Sequence, residues 1–356
     1  MRRRVLVAMS GGVDSSVAAA LLKKAGDEVI GLTMCFNLPA TTSKKPHCCG
    51  REAIEDARRV AEKLDIRHYV LNFSKVLEEK VIKNFCQEYL KGHTPNPCIR
   101  CNQYLKFGIL LKRALALGCD YLATGHYARI TRSGKKYFLK KAADKYKDQS
   151  YFLYRLSQKQ LKHILFPLQE LSKDKTRQLA KKFGLPVADK SASQEICFIP
   201  DDDYGAFLIK RLGNQIKPGD IVDKEGNVLG RHRGSCFYTI GQREGLGIAR
   251  GYPLYVSAID GKRNRLVVGE KKDVFKKEFI AKDVHFILGT INKKIELKAK
   301  IRYNHKEAVC VIQRLKRNRL KVKFKKPQAA ITPGQSVVFY KGEVVVGGGI
   351  IEKVID

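Results

Sequence analysis

Long apolar runs are missing from this sequence of 356 residues. No stretch approaches the ~20 apolar residues that carry a helix across a bilayer, which argues against a membrane-spanning protein. Low-complexity linkers and internal repeats are missing too. Hydrophobic residues make up 44%, the level of a folded chain rather than a disordered one, and the length is enough for two or three domains with real cores. Acidic residues are scarce. The chain has 35 Asp+Glu against 69 Lys+Arg, a formal net charge of +34. That excess is far beyond what solubility needs and implies a polyanionic partner whose condensed counterions are released on binding. A basic proteome or a heat-adapted surface would give the same total. The uneven placement, with "KKDVFKKEF" and "RLKRNRLKVKFKKP" late in the chain, favours a nucleic acid. A secretion signal is also lacking. Met1-Arg-Arg-Arg followed by Val5-Leu-Val starts like one, but Ser10–Asp14 interrupts the apolar region too early, so a cytoplasmic protein is expected. Its ten cysteines are then expected to be free, metal-binding or catalytic rather than structural disulfides.

One further absence is local. "VLVAMSGGVDSSVAAALL" reads as a buried strand, a glycine turn and a helix, the usual setting for phosphate. Yet it has no lysine where a GxxxxGK[ST] loop would have one. A helix N-terminus offers unpaired N–H groups, glycines let the backbone close on phosphate oxygens, and Ser10, Ser15 and Ser16 add hydroxyls. Asp14 is out of place among phosphates unless Mg²⁺ stands between. The loop therefore suits a pyrophosphate–Mg²⁺ leaving group with the α-phosphate left open to attack, which is adenylation rather than γ-phosphoryl transfer. The alternative is an unremarkable strand–helix turn.

Strands are expected at 4–9, 29–36, His68–Phe73 and Tyr121–Gly125, with helices at Asp14–Lys24, Arg51–Leu64, from Ser74 to about Leu90, and at Tyr104–Leu117. Such alternation implies a parallel sheet covered on both faces. Ligands of such sheets sit beyond the carboxyl ends of the strands, where Ser10, Met34 and Gly125 all fall. Near Asp203 the texture changes. Two hairpins follow, turning at Glu225-Gly226-Asn227 and Asp260-Gly261. Short strands then succeed one another at Ile295–Tyr303, Ala308–Leu315, Arg319–Phe324, Ser336–Tyr340 and Glu343–Val346, as in a small β-barrel. The expected organisation is an α/β ATP-binding catalytic domain at 1–203, a β-rich connector at 204–272, and a C-terminal, RNA-binding β-barrel at 273–356.

"SGGVDSS" resembles the loop of the N-type ATP pyrophosphatases, which include asparagine, argininosuccinate and GMP synthetases and several tRNA-modifying enzymes. Other stretches are more selective: "GHTPNPCIRCNQYLKFG", "SASQEICFIPDDDYGAFL", "GHYAR", "KDQSYFLYRL", "RYNHK" and "TPGQSVVFYKGEVVVGGGIIE". Together, and over the whole length, they resemble the tRNA-specific 2-thiouridylase family. The resemblance implies ATP-dependent 2-thiolation of the wobble uridine in tRNA, with the C2 oxygen adenylated and then displaced by sulfur. It implies that Ala8, Met9, Ser10, Gly11, Gly12, Val13, Asp14, Ser15, Met34 and Gly125 bind ATP, with Asp14 on Mg²⁺. Cys197 would carry a persulfide supplied by a sulfur-relay protein or cysteine desulfurase, and Cys101 would attack it to give a transient disulfide. Release of free sulfide is an alternative order. Asn96, Pro97 and position 98 would line the base pocket. His126, Lys147, Asp148, Gln149, Arg302, Tyr303 and Gln335 would contact the tRNA, and neither DNA nor a membrane is an expected partner. Read without the family, Cys197 between Ile196 and Phe198 is a small core residue, and Arg302 and Lys147 are solvated charges.

Many family members have Asp where this chain has Cys98. The exchange creates Cys98-x-x-Cys101 beside Cys197, three thiols able to hold a [4Fe–4S] cluster with one iron open to sulfide. That gives a second mechanism for the same reaction. Cys48 and Cys49 are expected in a peripheral role, and Cys35, Cys86, Cys119, Cys236 and Cys310 in the core. Two rivals stand outside thiolation: an amide or amidine synthetase sharing the loop, which has no use for paired cysteines, and a non-catalytic RNA-binding metalloprotein.

Overall fold

The computed structural model describes residues 2–37, 51–191 and 196–355; Cys48 and Cys49 lie outside them. The chain divides into two compact units. One comprises Met1–Val81, Cys98–Asp203 and Glu343–Val345, the other Ile82–Pro97, Tyr204–Gly342 and Val346–Asp356. Among the described residues no helix is long and apolar enough to cross a membrane.

The first unit is built on a sheet of five parallel strands in the order β3-β2-β1-β4-β7. These are β1 (Arg4–Ala8), β2 (Glu28–Cys35), β3 (Arg67–Asn72), β4 (Tyr121–Thr124) and β7 (Ile164–Leu165). β1 reads as an uninterrupted apolar run because both faces are covered: Val5, Leu6 and Val7 are fully buried, as expected of a central parallel strand. Helix Val13–Lys24 lays Val17, Ala18 and Ala19 on the sheet, and helix Arg51–Lys63 adds Ala57, Val60 and Ala61 to the same core. Small residues on both helices let them approach closely. From β1 the chain steps outward to β2 and β3, then returns to the other side of β1 as β4. The strand order therefore reverses between β1 and β4, and a crevice opens at their carboxyl ends.

The sequence reading of this unit missed β7 and the helix Lys173–Lys182, and two further departures bear on the site. A hairpin, β5 (Arg129–Ser133) and β6 (Lys136–Lys140), was not expected. The helix expected from Tyr104 begins at Pro97 and runs through Ala116 with a π-helical middle. Proline at the first position of a helix has a preset φ and no N–H to leave unpaired. Cys98 and Cys101 therefore sit on the opening turns of a helix, not in a preceding loop.

The second unit holds two sheets. β8 (Gly219–Val222) pairs with β9 (Val228–His232), β10 (Tyr255–Asp260) with β11 (Arg265–Gly269), and β11 joins β8 in parallel. The other is a closed barrel in the order β12-β15-β14-β13-β16-β17, with β17 returning to β12. Its strands are β12 (Phe275–Phe286), β13 (Ile295–Lys300), β14 (Ala308–Leu315), β15 (Arg319–Ala329), β16 (Ser336–Lys341) and β17 (Val344–Val354). Phe279, Ile312, Phe324, Val337, Phe339 and Ile351 fill it. β12 was not foreseen, β13 stops short of Tyr303, and β17 continues through Gly347–Gly349, which read as a break in the sequence but are tolerated where a barrel strand bends. Segment 82–97 belongs to this unit. Tyr89 stacks on Tyr204 at 5.6 Å, and the Thr94 N–H donates to the Pro333 carbonyl at 2.9 Å.

Phe324→Ala removes a fully buried ring from the barrel and is expected to cost roughly 3–5 kcal/mol. Urea unfolding checks this, and an unchanged midpoint would contradict the packing.

Candidate active site

The loop after β1 has the features of an anion cradle. Gly12 is the N-cap of helix Val13–Lys24 and no side chain caps it, so among the described residues its first N–H groups have no side-chain acceptor. Gly11 has φ +68° and lies so close to Ala53 that a Cβ would strike the Ala53 carbonyl. The serines fix the loop from within. Ser15 Oγ accepts from the Ser10 N–H at 3.1 Å and donates to the Gly12 carbonyl at 3.1 Å, which Ser16 Oγ also reaches at 2.9 Å. Gly125, one residue past β4, closes the other wall; a Cβ there would come within 2.7 Å of Asp14 C and Ser15 N. Ala8, Met9, Val13 and Met34 complete the β1 and β2 ends, with Met9 and Met34 buried. The expected ATP-binding residues are therefore gathered at one switch point.

The lysine missing from the loop arrives from elsewhere. Lys173 Nζ donates to Asp14 Oδ1 at 2.6 Å across 159 positions, its side chain only 13% exposed. The Tyr127 hydroxyl donates to the same oxygen at 2.8 Å and stands 3.0 Å from Thr176 Oγ1. Burial and the Asp14 charge push the Tyr127 phenol far above its ordinary range, so it keeps its proton for the Asp14 carboxylate. Among the described residues both of Asp14's bonds go to Oδ1, which leaves Oδ2 for a cation. The donor set fits an ATP–Mg²⁺ pair: hard oxygen from Asp14 for the metal, and N–H groups with an ammonium for phosphates. Lys173 was not singled out from the sequence. A signal was there, because a lysine in the first turn of helix Lys173–Lys182 opposes the helix dipole unless a carboxylate or phosphate holds it.

The cysteines sort by exposure. Cys86, Cys119, Cys236 and Cys310 are buried, and burial raises the thiols of Cys236 and Cys310 to about 11 and about 12. Such thiols are inert. Cys35 corrects the expectation of a core role: it is half-buried at the carboxyl end of β2, and its thiol donates to Asn37 Oδ1 at 3.0 Å. Cys98 is exposed, and Cys101 and Cys197 are half-buried. All three lie in the first unit, whereas Asn96 and Pro97 fall in the second. Among the described residues no three His, Cys, Asp or Glu side chains stand close enough to hold a metal ion, so Cys98, Cys101 and Cys197 as arranged do not fit an iron–sulfur cluster.

The residues expected to touch RNA are largely occupied by the protein. His126 is buried among Phe107 and Phe166, with Nδ1 2.7 Å from Thr124 Oγ1. The Asp148 carboxylate is buried and accepts from Ala142 N–H, Ser150 N–H and Ser150 Oγ. Gln149 Oε1 accepts from the Tyr127 N–H at 3.0 Å. In the second unit Gln335 Nε2 donates to the Thr94 carbonyl at 2.8 Å, while Arg302 donates to the Ile240 carbonyl at 3.0 Å and to Thr332 Oγ1. Tyr303 is half-buried under the Lys300 ammonium, 5.8 Å from its ring centre. Among the described residues nothing bonds the Lys147 side chain in this way.

Known proteins place the chain. A protein-family model described as "tRNA methyl transferase HUP domain" matches residues 3–201. One described as "tRNA methyl transferase PRC-barrel domain" matches 205–270, and an "Aminomethyltransferase beta-barrel domain" matches 276–351. The tRNA-specific 2-thiouridylase MnmA of Carboxydothermus hydrogenoformans is 51% identical over 99% of this chain and 98% of its own length. The protein of that name from Clostridium beijerinckii is 51% identical with both chains fully covered, and that of Acetivibrio thermocellus 52% identical over 99% of each.

Burial, reinforced by the Lys106 charge, holds the His126 imidazole well below its ordinary 6.5. The unfolded chain therefore takes up a proton near pH ~6.5 that the folded chain refuses, and stability falls as pH drops below that value. His126→Gln keeps a partner for Thr124 and is expected to lose less stability than the parent between pH ~7.5 and ~5.5. Urea midpoints check this, and equal losses would contradict it.

Proposed function

This chain belongs to the tRNA-specific 2-thiouridylase family, and on that premise we propose that it replaces the C2 oxygen of the wobble uridine of tRNA with sulfur, in two steps. The observation that carries the first step is the cradle after β1: an uncapped helix terminus beside an Asp14–Lys173 pair, with no loop lysine to grip a γ-phosphate. In that step the uridine oxygen attacks the α-phosphate of ATP. Pyrophosphate leaves against the N–H groups of Gly12 and the following turn, while Lys173 takes up its negative charge. Asp14 would hold Mg²⁺, which when bound neutralises phosphate charge. The exchange turns a poor leaving group, a carbonyl oxygen, into AMP.

In the second step sulfur attacks C2. Cys197 carries a persulfide from a sulfur-relay protein or cysteine desulfurase, and its terminal sulfur bonds to C2 while AMP departs with the former oxygen. The Cys101 thiolate then takes the Cys197 sulfur, the sulfur–sulfur bond to the base breaks, and 2-thiouridine is released. The resulting Cys101–Cys197 disulfide is reopened by a dithiol reductant. Both cysteines have the solvent access this chemistry needs, unlike the four buried ones. Cys98, on the opening turn of the helix that carries Cys101, contacts the target base. The α/β unit, built from residues 1–81 and 98–203, performs the chemistry. The segments 204–272 and 273–356 bind the tRNA, to which Arg302, Tyr303 and Gln335 contribute.

The two steps separate by substitution. Cys101→Ser and Cys197→Ser are each expected to abolish thiolation and retain tRNA-dependent pyrophosphate release. A synthetase would keep its full activity in both, and a non-catalytic binder would release no pyrophosphate at all. Asp14→Ala is expected to lose pyrophosphate release with tRNA binding retained. Lys173→Ala should slow it by roughly 10²-fold or more, the scale of losing one transition-state charge contact. Unchanged pyrophosphate release in Lys173→Ala would remove the lysine from the mechanism.

A further inference from the structure

The turn at 144–147 displays an aromatic ring that nothing in the fold uses. Tyr146 is 94% exposed, the most exposed of the large hydrophobic side chains. An exposed ring on a slack loop would carry little meaning, but this turn is held on all sides. One Asp144 oxygen accepts from the N–H groups of Tyr146 and Lys147 at 2.9 and 3.2 Å, and the other from the Lys173 N–H at 2.9 Å. The buried Asp148 carboxylate anchors the turn from the far side, through Ala142 and Ser150. Lys145 is exposed and Lys147 half-exposed, so cations flank the ring. Through Asp144 the same turn is tied to the backbone of Lys173, whose side chain reaches Asp14 in the ATP cradle.

We propose that Tyr146 is a stacking platform for an unpaired base of the RNA substrate, with Lys145 and Lys147 taking the phosphates on either side. This rests on the reading of the chain as an enzyme acting on tRNA. A fully presented ring on a hydrogen-bonded turn, with a lysine on either side of it in the sequence, matches what single-stranded RNA offers, a π-face on each base and a charge on each linkage. Prior fixing of the turn by two carboxylates means that little ordering entropy is lost on binding. From the same stretch Asp148 and Gln149 turn inward while Lys145 and Tyr146 stay exposed.

The test is the affinity of the full chain for an unmodified tRNA transcript with a wobble uridine, measured over a range of salt with wild type, Tyr146→Ala, Tyr146→Phe, Lys145→Ala and Lys147→Ala. Tyr146→Ala is expected to weaken binding by roughly five- to a hundredfold with the salt slope unchanged. Tyr146→Phe should stay within about threefold of wild type, since the π-face does the work. Each lysine variant should lower the salt slope by about one. Thiolation by Tyr146→Ala should show a raised KM and an unchanged kcat. Binding by Tyr146→Ala within about twofold of wild type, or equal losses in Tyr146→Phe and Tyr146→Ala, overturns the platform. A wild-type chain that neither binds nor thiolates the transcript overturns the functional reading itself, and is told apart by that control.

Discussion

The contact between Asp14 and Lys173 is the constraint on which the rest of this structure turns. It joins the first turn of the helix after β1 to the first turn of helix Lys173–Lys182, two positive helix ends that would otherwise repel where they meet. The negative charge of the carboxylate offsets both, and the Tyr127 phenol closes the third side. What results is a site with an excess of donors and one carboxylate oxygen to spare. Such a site wants a polyanion and a divalent cation together. A nucleotide whose pyrophosphate is to leave supplies both.

The parallel sheet puts this pair where it is needed. Strand order reverses beside β1, and the reversal opens space above the strand ends that no crossover helix fills. Gly11 and Gly125 are there because backbone must pass where a side chain has no room. The accessible thiols stand apart from the buried ones for a matching reason. A core thiol such as Cys310 is held protonated by its surroundings, whereas sulfur chemistry needs a sulfur that water and substrate can reach.

Much of this was legible in the sequence. "VLVAMSGGVDSS" specifies its own strand, turn and helix, because apolar burial and glycine geometry act over a few residues. The barrel was legible as alternating short strands, although β12 was not, and β17 was cut at its glycines. What could not be read was whatever depends on partners far apart in the chain. Lys173 meets Asp14 across 159 positions. His126, Asp148 and Gln149 were expected to face the tRNA, yet tertiary packing turns each of these polar side chains inward. Pro97 starts a helix that was expected only from Tyr104. Local chemistry is short-ranged and legible; the satisfaction of buried polar groups is a property of the whole fold.

The central claim is that the uridine oxygen leaves on AMP. The most direct measurement places ¹⁸O at C2 of the target uridine, runs one turnover with ATP and a sulfur donor, and weighs the nucleotide products. AMP carrying one ¹⁸O, with unlabelled pyrophosphate, is the predicted result. Label appearing in inorganic phosphate alongside ADP, or lost to water with AMP unlabelled, would contradict it.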